Sequence, residues 1–200
     1  TAKSHTVYPD GSVRYFEGDK YCEEREVRYV GATQVDEKDG SVYHCEIYYE
    51  GEHIHERKVR LELHGKDGIT TWHYEGEKGQ ERSVRRVDPP EEDEAGTVYH
   101  CVAYFEGWRG AERKVRLETH EEDGITTYDY YEGEKGRERV VRMEIHNKDG
   151  ITKVHYDDRD NKERMDYPNG KMALYEWRCI LPPQRTLQRV LHPDGRVDYF

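Results

Sequence analysis

A chain of 200 residues with 32 Lys and Arg against 43 Asp and Glu carries a formal charge of −11, and nucleic acid or an anionic bilayer is a poor default partner because phosphates repel such a surface. Only 34% of the residues are hydrophobic and 38% are charged, against roughly 25% charged in an ordinary globular domain, which excludes a thick, compact core. The 17 Tyr, 3 Trp and 3 Phe exclude plain disorder too, since disordered chains are poor in aromatics, so the chain is expected to fold thinly.

In chain order, the first recognisable element is TVYPDGSVRYFEG (6–18), two extended stretches about Asp10-Gly11. Further Asp-Gly steps at 39–40, 67–68, 123–124, 149–150 and 194–195, with Asn169-Gly170, supply the positive φ that tight hairpin turns need. Between them a second turn recurs as HYEGEKGQERSVR (73–85) and YYEGEKGRERVVR (130–142). The aromatics before its acidic-Gly step are Phe16, Tyr49, Tyr74, Phe105 and Tyr131, with Tyr156 in a degenerate copy, at spacings of 33, 25, 31, 26 and 25 residues. Alternate copies match best: GSVYHCEIYYEG (40–51) returns as GTVYHCVAYFEG (96–107), and ERKVRLELH (56–64) as ERKVRLETH (112–120), which indicates duplication of a two-repeat block.

Each repeat reads as two strands. Arg57, Val59, Leu61 and Leu63 alternate with Lys58, Arg60, Glu62 and His64 at period two, a strand pattern. Placing each marker aromatic opposite the Arg eight residues on (Tyr49 and Arg57, Tyr74 and Arg82, Tyr131 and Arg139, Tyr156 and Arg164) predicts an apolar face with Ile47 opposite Val59 and Cys45 opposite Leu61. The other face becomes a ladder of opposite charges, Glu46 across from Arg60 and His44 across from Glu62, each pair contributing about 0.2–1 kcal/mol and chiefly fixing register. The recurrent Arg is expected to lie on its own repeat's tyrosine, a contact of about 0.5–1 kcal/mol at an exposed site.

Residues 88–96, DPPEEDEAG, read as an acidic, Pro-containing insertion loop, LPPQRT (181–186) as a second break, and 157–200 as degenerate C-terminal repeats or a cap. The closing HPDGRVDYF either opens a further repeat or closes the sheet edge. The expectation for 1–200 is a single all-β array: an antiparallel meander of stacked β-hairpin repeats of about 25 residues each, forming an elongated, twisted, largely single-layer sheet.

The stretches TVYPDGSVRYFEG, YPNGKMALYEW (167–177) and YEGEKG resemble MORN repeats. The resemblance implies β-hairpins stacked side by side into an extended sheet, and a role as scaffold or dimerisation module. The chain departs from that family where ERxVR replaces the second glycine-rich stretch, and in lacking, outside Trp108, a Trp after the aromatic-x-Gly core. Its acidic balance argues against the lipid binding proposed for some members.

The chemistry-bearing residues form no catalytic constellation. The few serines, Ser4, Ser12, Ser41 and Ser83, lie in no nucleophile elbow, and no Gly-rich loop opens a helix. His53 and His55 in EGEHIHER suggest a metal, but they sit in a hairpin tip where other copies carry Lys-Gly, so no metal or cofactor is expected. His44, His64, His100 and His120 read as ladder members able to confer pH sensitivity. Cys22, Cys45, Cys101 and Cys179 show neither CxxC spacing nor a disulfide framework. No stretch resembles a signal peptide or approaches the 18 or so apolar residues of a membrane span; the compartment stays open with a cytoplasmic setting favoured, and the start at Thr1 without Met is compatible with processing or truncation.

The expected function is therefore a non-catalytic scaffold or protein-interaction module that engages a protein partner or a second copy through an aromatic sheet face or an edge. Tyr48, Trp72, Tyr104, Trp108, Tyr128 and Tyr130 are the candidate surface. The alternatives are a carbohydrate- or cation-binding sheet, with Trp72, Trp108 and Tyr128 stacking on a planar ligand, and a carboxylate hydrolase. A small-molecule ligand thus stays open, whereas nucleic acid and membrane insertion do not fit.

Overall fold

The computed structural model describes residues 2–18, 24–178 and 184–200. Cys22, Cys179 and residues 181–183 of LPPQRT lie outside them. The described chain is all β: β1 (Ala2–Val7), β2 (Val13–Gly18), β3 (Arg25–Val30), β4 (Gln34–Val35), β5 (Val42–Glu50), β6 (Arg57–Gly65), β7 (Gly68–Glu75), β8 (Arg82–Val87), β9 (Glu91–Glu92), β10 (Val98–Glu106), β11 (Arg113–Glu121), β12 (Thr126–Glu132), β13 (Arg139–Asn147), β14 (Gly150–Tyr156), β15 (Lys162–Asp166), β16 (Met172–Arg178), β17 (Gln184–Leu191) and β18 (Val197–Tyr199). Backbone contacts divide it into unit 1, residues 1–91 with 100–112, and unit 2, residues 92–99 with 113–200.

Within each unit the strands form an antiparallel meander. In unit 1, β1 pairs with β2, β2 with β3, β3 and β4 with β5, and β5 through β8 in sequence, with β8 pairing the 100–106 part of β10. In unit 2, β11 through β18 pair in chain order. In the closing residues β18 returns antiparallel on β17, Tyr199 facing Arg189. Among the described residues, strands within a unit contact only their hydrogen-bonded neighbours, so each unit is a single layer. Among the described residues the buried apolar ones are few: Val102 and Ala103 in unit 1, Val154 and Ala173 in unit 2.

A β-bulge corrects the predicted register. Tyr48 pairs with Arg60 but Tyr49 with Lys58, leaving Val59 as the extra residue. The same step recurs at Val27, Val84, Val141 and Glu163. It puts Glu50, not Tyr49, opposite Arg57 and slides the rest of the hairpin by two residues: Ile47 faces Leu61 and Cys45 faces Leu63. Past the bulge the two-residue slide keeps side chains on their predicted faces but changes their partners, whereas Arg57 and Lys58, offset by one residue, exchange faces, Lys58 joining Tyr49. The opposite-charge ladder is thereby overturned, because Glu46 faces Glu62 and His44 faces His64.

Residues 88–96 have a counterpart earlier in the chain. Asp88 N–H donates to Cys101 O, as Gly31 N–H donates to Cys45 O, and Asp93 N–H donates to Thr97 O, as Asp36 N–H donates to Ser41 O. DPPEEDEAG is the second copy of a hairpin extension that first runs from Gly31 to Ser41, β4 and β9 being its short strands. The longer spacings of 33 and 31 residues contain this extension. Pro89 moreover packs on Gly68, where an added Cβ would come within 2.6 Å of the ring, as Pro168 does on Gly150.

Candidate functional site

The ERxVR segment that sets these repeats apart divides its work among neighbouring repeats. Its Glu accepts from the preceding repeat: Glu81 Oε1 from Lys58 N–H (3.1 Å), Glu138 Oε1 from Lys114 N–H (3.2 Å). Its first Arg donates to the carbonyl at the tip of the following repeat: Arg25 to Gly51 O (2.6 Å), Arg57 to Gly76 O (3.1 Å), Arg82 to Gly107 O (3.3 Å), Arg113 to Gly133 O (3.3 Å) and Arg139 to Asp157 O (2.9 Å). This is the Arg expected to cover its own tyrosine, and it does not. Lys58 instead lies over Tyr74 (3.7 Å to the ring centre) and Lys114 over Tyr131 (4.0 Å), each the marker of the next repeat.

The second Arg builds the most regular surface. Across unit 1 the pairing aligns Tyr15, Arg28, Tyr48, Arg60, His73, Arg85 and Tyr104 in one row; across unit 2 it aligns Arg116, Tyr130, Arg142, His155 and Arg164. Guanidinium groups alternate with rings: Arg60 stands 3.8 Å from the Tyr48 centre, Arg28 5.3 Å from Tyr15 and 5.7 Å from Tyr48, and Arg142 4.1 Å from Tyr130. Burial, and then the flanking Arg85 and Arg60, hold His73 below its ordinary pKa, so it fills its place in the row as a neutral ring.

Two residues along each strand, on the same face, stands an acid, and two beyond that often a histidine. RLELH (60–64), RLETH (116–120) and RMEIH (142–146) each place Arg, Glu and His side by side. Arg60 Nε lies 3.1 Å from Glu62 Oε1, and His64 Nε2 lies 3.1 Å from Glu62 Oε2. Arg116 and His120 flank Glu118 at 2.9 and 3.2 Å, and Arg142 and His146 flank Glu144 at 3.5 and 3.1 Å. Arg60 Nε makes no well-aligned hydrogen bond, so its pairing with Glu62 is electrostatic. Within these triads charges compensate along the strand, while Arg28–Glu46, Glu75–Arg82 and Glu144–Lys153 pair across strands.

Of the candidate surface residues, Tyr48 and Tyr104 share this row in unit 1, and Tyr130 and Tyr128 occupy adjacent rows of the same face in unit 2. Trp72 lies on the opposite face of β7, opposite Leu61 and Arg86, with its ring 5.9 Å from Phe105. Trp108 projects from the tip after β10, 87% exposed. The six do not make one platform. Period-two alternation already separates Tyr48 from its neighbour Tyr49, whereas the roles of Arg28, Glu46 and the R-x-E-x-H triads become visible only with the register.

The tips are where copies diverge. In 51–55 the place held elsewhere by Gly79, Gly110 and Gly136 belongs to Ile54, a β-branched residue at φ +64° and 64% exposed. Its carbonyl accepts from Lys78 Nζ (3.0 Å), and His53 Nδ1 approaches Glu24 O at 2.5 Å. His55, Arg57 and Lys78 line an open depression beside this tip. The left-handed conformation opposes an L side chain by about 1–2 kcal/mol, so Ile54→Gly should raise stability by about 1 kcal/mol in urea unfolding, after the glycine's greater unfolded-state entropy is deducted. An unchanged or lower midpoint would show that the isoleucine contacts outweigh the backbone strain.

No protein-family model matches the chain, and no curated protein matches it significantly in sequence.

Proposed function

We propose that the chain is a non-catalytic hairpin-repeat scaffold, MORN-like in kind, that binds a protein partner or a second copy of itself across the apolar face of unit 1. The observation that carries this reading is a single layer with almost no interior. Ile47, Leu61, Trp72 and Phe105 are only half buried on that face, Tyr43 and Leu63 are exposed at its end, and Val102 and Ala103 are the buried apolar residues of the unit. Half-buried apolar rows gain most from a covering surface, about 25 cal/mol for each Å² removed from water. The net charge of −11 favours a basic partner surface.

Catalysis by the facing carboxylates Glu46 and Glu62 has less support. Burial pushes the Glu46 carboxyl up, but hydrogen bonds from Tyr48 and Arg28, then the charges of Arg28 and His64, outweigh it and keep the group below its ordinary value, which makes it a poor proton donor. Carbohydrate stacking has less support as well, because Trp72 already stacks with Phe105 and carries Arg86 over its ring at 5.4 Å, while Trp108 stands at a tip.

Light scattering over a concentration series, with the chain alone and with a cross-linked partner purified from its native source, tests the proposal. The expected result is self-association or a stoichiometric complex that Tyr43→Lys/Leu63→Lys disrupts. A monomer at every concentration, whose partner binding is indifferent to that double variant, would refute it.

A further inference from the structure

We propose that His44, His64 and Glu46 form a binding site for one divalent transition-metal ion of the zinc class, with solvent completing its shell. Among the described residues this is the group in which three potential ligand atoms converge, all within 4.8 Å of one another. The two imidazoles stand directly across β5 and β6, stacked with centres 4.4 Å apart. Glu46 Oε1 lies 3.5 Å from His44 Nε2 and 4.0 Å from His64 Nε2. Ligands bonded at about 2.0–2.1 Å in a tetrahedral zinc shell sit roughly 3.3 Å apart, so these atoms, within 4.8 Å of one another, close on an ion by side-chain shifts of up to about 1.5 Å as the stacked rings turn toward it.

The carboxylate is oriented for that task. Its other oxygen, Oε2, is held by Arg28 Nε (2.9 Å), Arg28 Nη2 (2.6 Å) and Tyr48 Oη (2.7 Å), which turns Oε1 toward the histidines. Such fixing of a ligand by its own hydrogen-bond partners is what outer-shell groups do in metal sites. Glu62 Oε2, 3.1 Å from His64 Nε2, stands beside the three as an acceptor for a bound water. The histidine side chains, 32% and 25% exposed, leave an approach from solvent, while Glu46 is at 9%.

The duplicated copy supplies the contrast. VYHCEIYYEG (42–51) returns as VYHCVAYFEG (98–107), keeping the histidine but replacing Glu46 with Val102, which is buried at 3%. An apolar residue thus fills that slot in one copy, so folding does not require a buried carboxylate in the other. Arg28 and Tyr48 compensate the buried charge through Oε2, and a cation between the two imidazoles would engage the other oxygen, Oε1. Two imidazoles with one carboxylate suit zinc, nickel, cobalt or copper ions better than calcium or magnesium, which prefer all-oxygen shells.

The test is titration of the tag-free full chain with Zn(II) by calorimetry and with Co(II) by visible absorption. One equivalent should bind and raise the unfolding temperature. His44→Gln and His64→Gln should abolish the saturable event, and Glu46→Val, the residue of the sibling copy, should weaken it by on the order of tenfold or more. His53→Ala/His55→Ala should leave it intact, with circular dichroism confirming a folded sheet in every variant. Absence of saturable uptake in the wild type, retention of it in His64→Gln, or its loss in His53→Ala/His55→Ala would overturn the assignment. None of these outcomes depends on whether the apolar face binds a protein.

Discussion

Gly76→Ala is expected to lower the free energy of unfolding by about 3 kcal/mol in urea, whereas Gly79→Ala, three residues on in the same tip, should cost about 1 kcal/mol. Both glycines have positive φ, but they are not equivalent. Gly79, at +78°, sits in the left-handed region with nothing within 4 Å of an added Cβ, so only the backbone preference is lost. Gly76, at +115°, lies where non-glycine residues scarcely occur, and its Cβ would stand 2.7 Å from Gln80 O and 3.3 Å from Gln80 C. Those are backbone atoms of the tip itself, so no flexible side chain can give way. Gly51, Gly107 and Gly133 repeat the contact with His55 O, Ala111 O and Arg137 O, each at 2.7 Å. Equal losses at 76 and 79 would mean that the tip relaxes and the close approach is not a constraint.

The effect should extend beyond one hairpin, because the Gly76 carbonyl accepts Arg57 from the repeat before it. ERxVR makes each repeat a partner of both neighbours: its Glu looks back, its first Arg looks forward, its Val is the bulged residue, and its second Arg joins the row of rings. With so few buried apolar residues, a repeat's stability resides largely in these interfaces, as nearest-neighbour models of repeat proteins require. A lost tip should therefore destabilise the adjoining hairpin as well, which hydrogen exchange at the amides of β5 and β6 would register.

Much of this was legible in the sequence. The turn glycines at 11, 40, 68, 124, 150, 170 and 195 all adopt the positive φ that Asp-Gly and Asn-Gly predict, and the hairpins follow from them. Period-two alternation put Arg57 and Lys58 on the wrong faces, since the bulge flips what precedes it, but it assigned the faces of β5, and of β6 from Arg60 onward, correctly, because faces survive a two-residue slide. Partners do not survive it, and a bulge at Val59 has no signature that separates it from a regular strand valine; hence the mistaken opposite-charge ladder and the Arg placed on the wrong tyrosine. The extension at 88–96 was obscured by composition, since its prolines and acids conceal a correspondence with GATQVDEKDGS that the hydrogen bonds of Asp88 and Gly31 make plain. The convergence of His44, Glu46 and His64 required the true register, for only there do the two histidines face each other.

That register also makes the two sides of the Arg28–Glu46 pair unequal. Arg28→Met should cost about 2 kcal/mol at pH 7, while Glu46→Val should stay within about 1 kcal/mol of wild type. Removing the guanidinium strips two charge-assisted hydrogen bonds from a carboxylate whose side chain is 9% exposed, and only Tyr48 remains to hold that oxygen. Removing the carboxylate leaves a guanidinium that is 38% exposed and can take water, so the penalty is smaller than for a fully buried pair. The sign of the pH dependence follows from Glu46. Its carboxyl is held below its ordinary value in the folded wild type, so its contribution is present above the ordinary carboxylate range and lost as pH falls through the folded value. In Arg28→Met the burial that raises this carboxyl persists, while the hydrogen bonds and charge of Arg28 that oppose it are gone and Tyr48 is left as the main opposing group. Glu46 then takes up a proton early in an acid titration, which relieves the unpaired charge. The gap between Arg28→Met and wild type should accordingly be widest near neutrality and narrow toward about pH 4. In the double variant the second substitution should restore most of the loss, because no charge is left stranded. A gap that does not change with pH, or a Glu46→Val variant as unstable as Arg28→Met, would show that the pair acts through packing and not through the buried charge.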